Sequence, residues 1–406
     1  MAGVDAGNTA WVLLSAALVL LMTPALGFFY GGLVRRKNLA NTIMACFATV
    51  ALVSVQWVLW GYSLAFGPDK MGLIGGLEWL GLNGVGLEPN PDYAETIPHQ
   101  AFMIFQGMFA IITPALIIGA VVERIRFGAL LLFIILWAKF VYDLIAHWVW
   151  ASGGWLSNLG ALDFAGGTVV HINSGVAALA TALVLGRRLG YGTTSMEPSN
   201  VTYVVLGAVL LWFGWFGFNA GSALSAGMQA TAAFVTTNTA ASAAALAWMV
   251  MSWLHRGRAS IIGTASGAIA GLVAITPAAG FVNVLGALTI GFGAGVLCYL
   301  AVMLRSRLKI DDSLDVWGIH GIGGTWGAIA TGIFADPAVG GAAGALYGNA
   351  AQVLVQLTAV GVTWAYSFTA TLAILKLLDK TVGLRVTPRE EMMGLDLTQH
   401  AETAYS

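Results

Sequence analysis

The sequence predicts an all-α integral membrane protein of eleven transmembrane helices, arranged as two inverted five-helix repeats plus an eleventh helix. Three observations support this fold class. Of the 406 residues, 58% are hydrophobic and only 9% are charged, against roughly 25% charged residues in soluble domains. Long apolar runs recur along the chain without the period of two that a membrane barrel requires. Basic residues fall almost entirely in alternate loops.

Eleven apolar stretches are long enough to cross a hydrocarbon core of about 30 Å. Helices are the structure that satisfies their backbone groups within the bilayer. We place them at residues 11–33, 41–64, 100–122, 127–150, 164–186, 200–220, 230–254, 260–277, 281–304, 316–334 and 345–376. The first ten residues hold an acidic residue and no lysine or arginine, so we expect mature sequence there and not a secretory signal.

The basic residues predict the orientation. All of the 18 except Lys70 and Lys139 fall on one side of the membrane, which the positive-inside rule makes the cytoplasmic side. We therefore expect a multi-pass protein of the cytoplasmic membrane with an external N-terminus and a cytoplasmic C-terminus. The longest external loop, residues 65–99, is acidic, and an acidic outer mouth suits a cation.

Two matching segments end the two halves of the chain. One reads DFAGGTVVHINSG and runs from Asp163 through His171, and the other reads DVWGIHGIGG and runs from Asp315 through His320. Because five spans is an odd number, a second half that resembles the first must enter the membrane from the opposite side. The predicted divisions are repeat one at 11–186, repeat two at 200–334, the extra helix at 345–376, a transmembrane domain at 1–376 and a cytoplasmic tail at 377–406.

His171 and His320 are predicted to face each other near the middle of the bilayer. Each lies about 6 to 12 Å inside the start of its helix at 1.5 Å per residue, and an ionisable side chain at such depth generally lines a pathway or a site. Two unrelated histidines, each bonded to a neighbouring helix, remain the alternative. A neutral imidazole has one donor and one acceptor, so a pair can bond together and still offer a nitrogen to a passing polar solute.

The acidic residues of the spans have more than one interpretation. Asp163 and Asp315 each precede a helix by one residue and are predicted to cap it. For Asp163, capping alone and capping combined with stabilisation of an arriving cation both stay open. Lys139 and Asp143 lie at i and i+4 within span four, which predicts a structural ion pair, with a proton or ion relay as the alternative.

Aromatic residues gather where the outer mouth is expected. Phe109, Trp150 and Phe218 fall at or just below external ends of spans, beside the hydroxyl of Ser222. A single tryptophan there is typical of an interfacial belt, but a cluster of ring faces attracts a cation by about 0.5 to 2 kcal/mol each. A hydroxyl oxygen accepts a hydrogen bond from ammonium, whereas potassium has no hydrogen bond to donate. The sequence contains no motif of an enzyme or of a bound cofactor, and we expect neither.

Seven segments carry a resemblance to a known family: FFYGGLVRRKN, ERIRF, AHWVW, DFAGGTVVHIN, GWFGFNAGSA, DVWGIHGIGG and the terminal TVGLRV followed by EEMMGLDLTQHAETAYS. In this order they resemble motifs of the ammonium transporter family (Amt/Mep/Rh), on the Amt side. Span one departs slightly, with PALGFFYGG where the family pattern is PGLAFFYGG. Lys139 has no counterpart among the family motifs.

The resemblance implies an ammonium transporter, a homotrimer with one pore in each subunit, and a PII-type signalling protein as a cytoplasmic partner. It implies the following site: Trp150, Phe109, Ser222 and Asp163 for outer ammonium recruitment, Phe109 and Phe218 as a stacked gate, His171 and His320 as twin histidines of the pore, and Phe29 and Tyr30 towards the inner mouth. Ammonium would leave a proton at the outer site and cross as ammonia, because a bare cation at the bilayer centre costs at least about 2.5 to 3.5 kcal/mol.

Two alternatives use the same residues differently. The first is an ammonium sensor that signals through its cytoplasmic tail. The second is a haem protein whose two histidines are axial ligands. The tail bears on the sensor alternative, and the distance between the two histidines bears on the haem alternative.

Overall fold

Eleven long helices dominate the computed structural model, which describes residues 3–405 and confirms the predicted fold class. They are α1 (Ala6–Leu33), α2 (39–66), α3 (His99–Val121), α4 (127–150), α5 (Gly167–Leu185), α6 (Val201–Gly221), α7 (Met228–Arg256), α8 (Ile261–Ile275), α9 (Val284–Arg307), α10 (317–334) and α11 (Ala351–Thr381). Nine of these are long and apolar enough to cross a membrane, and the shorter α8 and α10 complete the bundle.

The last span differs most from its predicted bounds. It was expected at 345–376, but α11 begins at Ala351 and continues to Thr381. Residues Ala345–Tyr347 form a separate 3-10 turn. Gly348 follows with φ of +92°, a left-handed conformation that ends a helical turn. The apolar run therefore begins before the helix does.

Helices that hold equivalent places in the two halves pack against each other. The backbone of α6 approaches that of α1 so closely that a Cβ at Gly207 would lie 2.7 Å from the Cα of Phe29. The helices that end the halves, α5 and α10, meet in the same way. A Cβ at Gly175 would collide with the backbone nitrogen of Gly321, and a Cβ at Gly324 would lie 3.0 Å from the Cβ of His171.

Four helices contain a π-helical turn, and two of these turns carry the paired histidines. The turns are Trp57–Gly61 in α2, Ala138–Tyr142 in α4, Gly167–Ile172 in α5 and Trp317–Gly321 in α10. A π turn adds a residue to one turn of a helix and is frequent at functional sites. His171 and His320 each occupy the π turn at the start of a helix, and the close-packed glycines Gly175 and Gly324 each follow four residues later.

A short hairpin covers the outer end of α4. Strands β1 (Asp69–Lys70) and β2 (Ile74–Gly75) pair in antiparallel register within the loop that joins α2 to α3. The indole nitrogen of Trp148 donates to the Leu73 carbonyl oxygen at 2.8 Å. The hairpin is thus fastened to the helix that it covers.

The C-terminal tail folds onto the loops at the opposite end of the bundle. It forms two short helices, α12 (Pro388–Met393) and α13 (Leu395–His400). An antiparallel bridge joins Ile125 to Arg385, with the Arg126 N–H donating to the Leu384 carbonyl at 2.8 Å and the Val386 N–H donating to the Arg124 carbonyl at 3.0 Å. The tail is consequently a docked segment, although it is too short to form a core of its own.

Candidate functional site

A narrow, largely enclosed cavity lies inside the helix bundle and is almost entirely apolar. Its lining consists of Leu26, Phe29, Tyr30, Ile112, Leu116, Val170, His171, Leu211, Trp215, Phe218, Ile269, Leu314, Val316, Ile319 and His320. The polar atoms of Trp215 and Tyr30 are engaged, because the indole N–H donates to Thr276 Oγ1 at 3.0 Å and the phenol O–H donates to the Leu116 carbonyl at 3.0 Å. The two imidazoles are the polar edges left to the cavity.

The two histidines are hydrogen-bonded to each other. His171 Nδ1 lies 3.2 Å from His320 Nδ1, and the ring centroids are 5.3 Å apart. One proton fills that bond, so one Nδ1 donates and the other accepts, and the accepting ring is neutral unless its bond is given up. His171 Nε2 is buried and has no hydrogen-bond partner within residues 3–405. The pair therefore presents a free nitrogen to whatever enters the cavity.

This geometry also excludes the haem alternative. Axial ligands lie on opposite faces of a porphyrin with the iron between their nitrogens. Here the facing nitrogens are hydrogen-bonded to each other at 3.2 Å, which leaves no space between them for a macrocycle.

A continuous row of aromatic rings leads from the outer end of α4 to the histidines. Ring centroids are 5.7 Å apart for Trp150 and Phe109, 4.5 Å for Phe109 and Phe218, and 5.9 Å for Phe218 and His171. We call the series of side chains that ends at His320 the ring row: Trp150, Phe109, Phe218, His171 and His320. Phe109 and Phe218 meet at an interplanar angle of 53°, tilted and not stacked, whereas the Phe218 and His171 rings are stacked.

Polar groups at the outer end of the ring row are partly exposed. Ser222 donates its hydroxyl proton to the Phe218 carbonyl at 2.9 Å, so its oxygen keeps lone pairs to accept a proton from elsewhere. Trp150 donates its indole N–H to the Asp163 carbonyl at 2.9 Å. This bond fixes the indole at the head of the ring row.

Asp163 caps the start of α5 with both carboxylate oxygens. They accept backbone N–H groups from Gly166, Gly167, Thr168 and Val169 at 2.5 to 3.2 Å, as well as the Thr168 hydroxyl. Five donors exceed the roughly four lone-pair sites of a carboxylate, so no site remains for direct contact with a cation. Its backbone carbonyl is the group that contacts Trp150.

The prediction that Asp315 caps α10 is wrong, because Asp312 takes that role. Asp312 accepts the Trp317 N–H at 2.7 Å and stands eight residues before His320, as Asp163 stands eight residues before His171. Asp315 instead lies 2.7 Å from Arg305 Nη2 and has a left-handed φ of +61°. The equal spacing to the histidines was the signal that could have identified Asp312 from the sequence.

The predicted ion pair between Lys139 and Asp143 is also absent from residues 3–405. Lys139 places its ammonium over the Trp60 and Phe140 rings at 5.6 and 5.4 Å. Asp143 accepts a hydrogen bond from Gln56 Nε2 at 3.0 Å. The π turn Ala138–Tyr142 lies between them, and the wider turn removes the i, i+4 alignment on which the prediction rested.

A buried ion cluster lies at the end of the bundle where the tail docks. The Arg188 guanidinium donates to Glu123 Oε2 at 2.7 Å and to both oxygens of Asp311 at 2.8 to 3.1 Å. Arg35 donates to Glu123 at 3.1 Å. Burial alone would raise the pKa of Glu123, but Arg188 and Arg35 hold it below its ordinary value. Burial opposes the ionised form of Asp311 as well, and its bonds to Arg188 lower that pKa.

The tail adds its own charges to this cluster. The Glu391 carboxylate accepts hydrogen bonds from the Leu189 N–H at 2.6 Å and from the Arg385 guanidinium at 2.8 Å. Lys37 donates to the carbonyl oxygens of Glu391 and Met392 at 2.8 and 2.6 Å. The loops after α1 and α5 are thereby tied to the tail.

Known proteins resemble the chain over nearly its whole length. A family model described as Ammonium Transporter Family matches residues 10–405. The chain is 52% identical over 402 residues to an ammonium transporter of Bacillus subtilis (strain 168), with 98% of each chain covered. It is 52% identical over 400 residues to ammonium transporter Amt1 of Archaeoglobus fulgidus, with 98% of this chain and 99% of the other covered. The crystal structure of Saccharomyces cerevisiae Mep2 matches with a TM-score of 0.90 at 40% identity, covering 96% of this chain and 89% of that one.

Proposed function

The chain belongs to the ammonium transporter family, and we propose that it recruits ammonium at Trp150, Phe109 and Ser222 and conducts it past His171 and His320. Asp163 supports the outer site through its buried charge, Phe109 and Phe218 form the gate, and Phe29 and Tyr30 line the inner end of the pore. The protein is a multi-pass membrane transporter. We further propose that it lies in the cytoplasmic membrane with its N-terminus outside.

The observation that carries the proposal is the Nδ1 to Nδ1 hydrogen bond of the histidine pair at 3.2 Å inside an apolar cavity. A pair that shares one proton offers polar edges without a fixed net charge. Ammonia can donate to and accept from such edges. A desolvated potassium ion finds no set of oxygen ligands there and faces the full cost of entering the bilayer core.

Discrimination between the two cations begins at the outer site. Ammonium gives hydrogen bonds to a hydroxyl oxygen and binds over ring faces at about 0.5 to 2 kcal/mol each. The Ser222 oxygen and the indole of Trp150 supply one group of each kind. Recognition of the cation is a different step from its deprotonation, and the proposal names no residue as the acceptor of that proton.

We expect Trp150→Ala and Ser222→Ala to reduce methylammonium uptake at limiting substrate, because each removes one stabilising contact with the cation. The loss should be about 2- to 30-fold for the indole and about 2- to 10-fold for the hydroxyl. Uptake of radiolabelled methylammonium by reconstituted protein measures both. Trp253→Ala and Ser225→Ala are the controls, since Trp253 lies exposed on α7 and Ser225 bonds only to Ala223. Full uptake in both test variants would contradict the site.

The tail is proposed as the docking surface for a PII-type protein. Its described part presents α12 and α13 beside Arg36 and Lys37, where the Arg36 guanidinium stacks over the Tyr405 ring at 4.4 Å. We also propose that the assembled protein is a homotrimer. Exposed apolar side chains on α6 and α7, among them Val209, Phe213 and Leu246, suit contacts with lipid or with another subunit.

Deleting the chain from Leu384 onward is expected to abolish binding of a cognate PII-type protein, because the deletion removes both tail helices and leaves all eleven membrane helices. Surface plasmon resonance on the purified protein measures this binding. A shorter deletion from Glu402 onward retains α12 and α13 and serves as the control. Unchanged affinity of the longer truncation would place the docking surface elsewhere.

A further inference from the structure

The outer end of α4 contains a buried histidine whose two ring nitrogens both face acceptors. His147 Nδ1 lies 2.9 Å from the carbonyl oxygen of Ala65, in the last turn of α2. Its Nε2 lies 2.9 Å from Asp69 Oδ1, on strand β1. A carbonyl oxygen and a carboxylate oxygen accept hydrogen bonds, whereas a neutral imidazole donates only one. Both bonds therefore exist together only when this pair holds one additional proton.

A third bond holds the carboxylate in place. Asp69 Oδ1 also accepts the backbone N–H of Gly72 at 2.8 Å. The same oxygen therefore lies within hydrogen-bond distance of the hairpin backbone and of the His147 ring. The buried ring thus connects the last turn of α2 to strand β1. We call the three residues Ala65, Asp69 and His147 the clasp.

The outer segment of α4 packs against the last turn of α2, the hairpin, residues 155–158 and the start of α5. Within residues 3–405, Asp69 is the one charged group hydrogen-bonded to the His147 ring.

The clasp determines how the hairpin sits on the segment that carries Trp150. The Trp155 N–H donates to the Gly72 carbonyl at 3.1 Å, and Trp148 donates to Leu73. Gly153 fits against the Asp69 side chain, where a Cβ would lie 2.8 Å from the Asp69 Cβ. Trp150 follows His147 by three residues, less than one helical turn. A change at His147 is thus passed to the indole at the head of the ring row.

We propose that His147 is a positioning residue of the outer recruitment site, holding the hairpin against α4 and thereby fixing Trp150. This inference rests on the proposed recruitment role of Trp150.

The attachment of the hairpin is tested by hydrogen exchange, read by mass spectrometry of the peptides that contain Gly72 and Trp155. The Gly72 N–H bonds to Asp69 Oδ1 and the Trp155 N–H bonds to the Gly72 carbonyl. Both amides should exchange faster in His147→Ala than in the unaltered protein, with Trp253→Ala as the control. Unaltered exchange in His147→Ala would overturn the attachment.

The positioning role is tested by uptake kinetics of methylammonium in liposomes. We expect His147→Ala to raise the half-saturation concentration on the order of fivefold, the equivalent of one lost hydrogen bond, with little change in maximal rate. His147→Gln, whose amide can still donate to one of the two acceptors, should recover part of the lost affinity. If His147→Ala keeps its affinity, His147 does not position the site. Failure of the recruitment site itself would appear separately, as full uptake by Trp150→Ala, and would leave the exchange rates unchanged.

Discussion

Replacing His320 by aspartate is expected to admit a potassium current that the unaltered protein excludes. The cavity offers a cation no carboxylate of its own, and aspartate would add one at its centre. At 4 Å, opposite charges attract by about 4 kcal/mol at an effective dielectric constant of 20. Even a third of that value lowers ammonium-over-potassium discrimination by about tenfold. Currents of both ions through His320→Asp in planar bilayers or liposomes measure the effect.

The matched control is His320→Asn, which keeps a neutral polar group at the same position. It should reduce the ammonium current, since His171 Nδ1 loses its ring partner, and it should leave potassium excluded. His171→Asp is expected to behave like His320→Asp, because each ring contributes one nitrogen to the same bond. Undiminished discrimination in both aspartate variants would remove the selectivity role from the pair.

Arg188→Ala is expected to produce the largest loss of stability at the end of the bundle where the tail docks. The guanidinium is the shared partner of Glu123 and Asp311, both almost completely buried. Its removal takes the ion-pair partner from the buried Asp311 carboxylate and leaves Glu123 with Arg35. Breaking a buried ion pair in this way costs about 3 to 5 kcal/mol. Thermal unfolding in detergent, with limited proteolysis of the tail, measures the change.

Arg187→Ala is the control for that variant, because its guanidinium donates to the Lys309 carbonyl at an exposed position. We expect it to change stability by no more than about 0.5 kcal/mol. The pH dependence supplies a second check. The lowered pKa values of Glu123 and Asp311 mean that their contribution is complete above the ordinary values of 4.5 and 3.8 and disappears as pH falls through the lowered ones. The difference between Arg188→Ala and the unaltered protein should therefore be full at neutral pH and shrink in acid.

Hydropathy was sufficient to predict the membrane helices, because it reflects transfer from water into lipid and needs no tertiary information. Pairing of His171 with His320 was also predictable, since the inverted repeat brings equivalent positions together. The family assignment agrees with the segments quoted from the sequence. The relatives at 52% identity carry transporter names, which favours transport over the sensor alternative.

Side-chain partners that depend on the path of the backbone were not predictable. The expected pairing of Lys139 with Asp143 assumed a regular α-helix, and a π turn separates them. The position of Asp315 directly before the span predicts a helix cap, but its backbone is left-handed and its carboxylate pairs with Arg305. The docking of the tail depends on contacts between segments more than 200 residues apart in sequence, and no local pattern specifies them.

The glycine contacts between α5 and α10 restrict how a solute can cross. Inverted-repeat transporters commonly work by alternating access, in which one bundle rocks against the other around a central site. Here Gly175 lies against the backbone of Gly321, and Gly324 lies against His171, at the level of the site itself. Rocking would have to separate backbones that touch where the two halves meet. With Phe109 and Phe218 as the proposed gate, we expect passage to depend on rotation of single side chains and not on the microsecond-to-millisecond rearrangement of domains. Such rotations take picoseconds to nanoseconds for exposed residues and longer for packed rings.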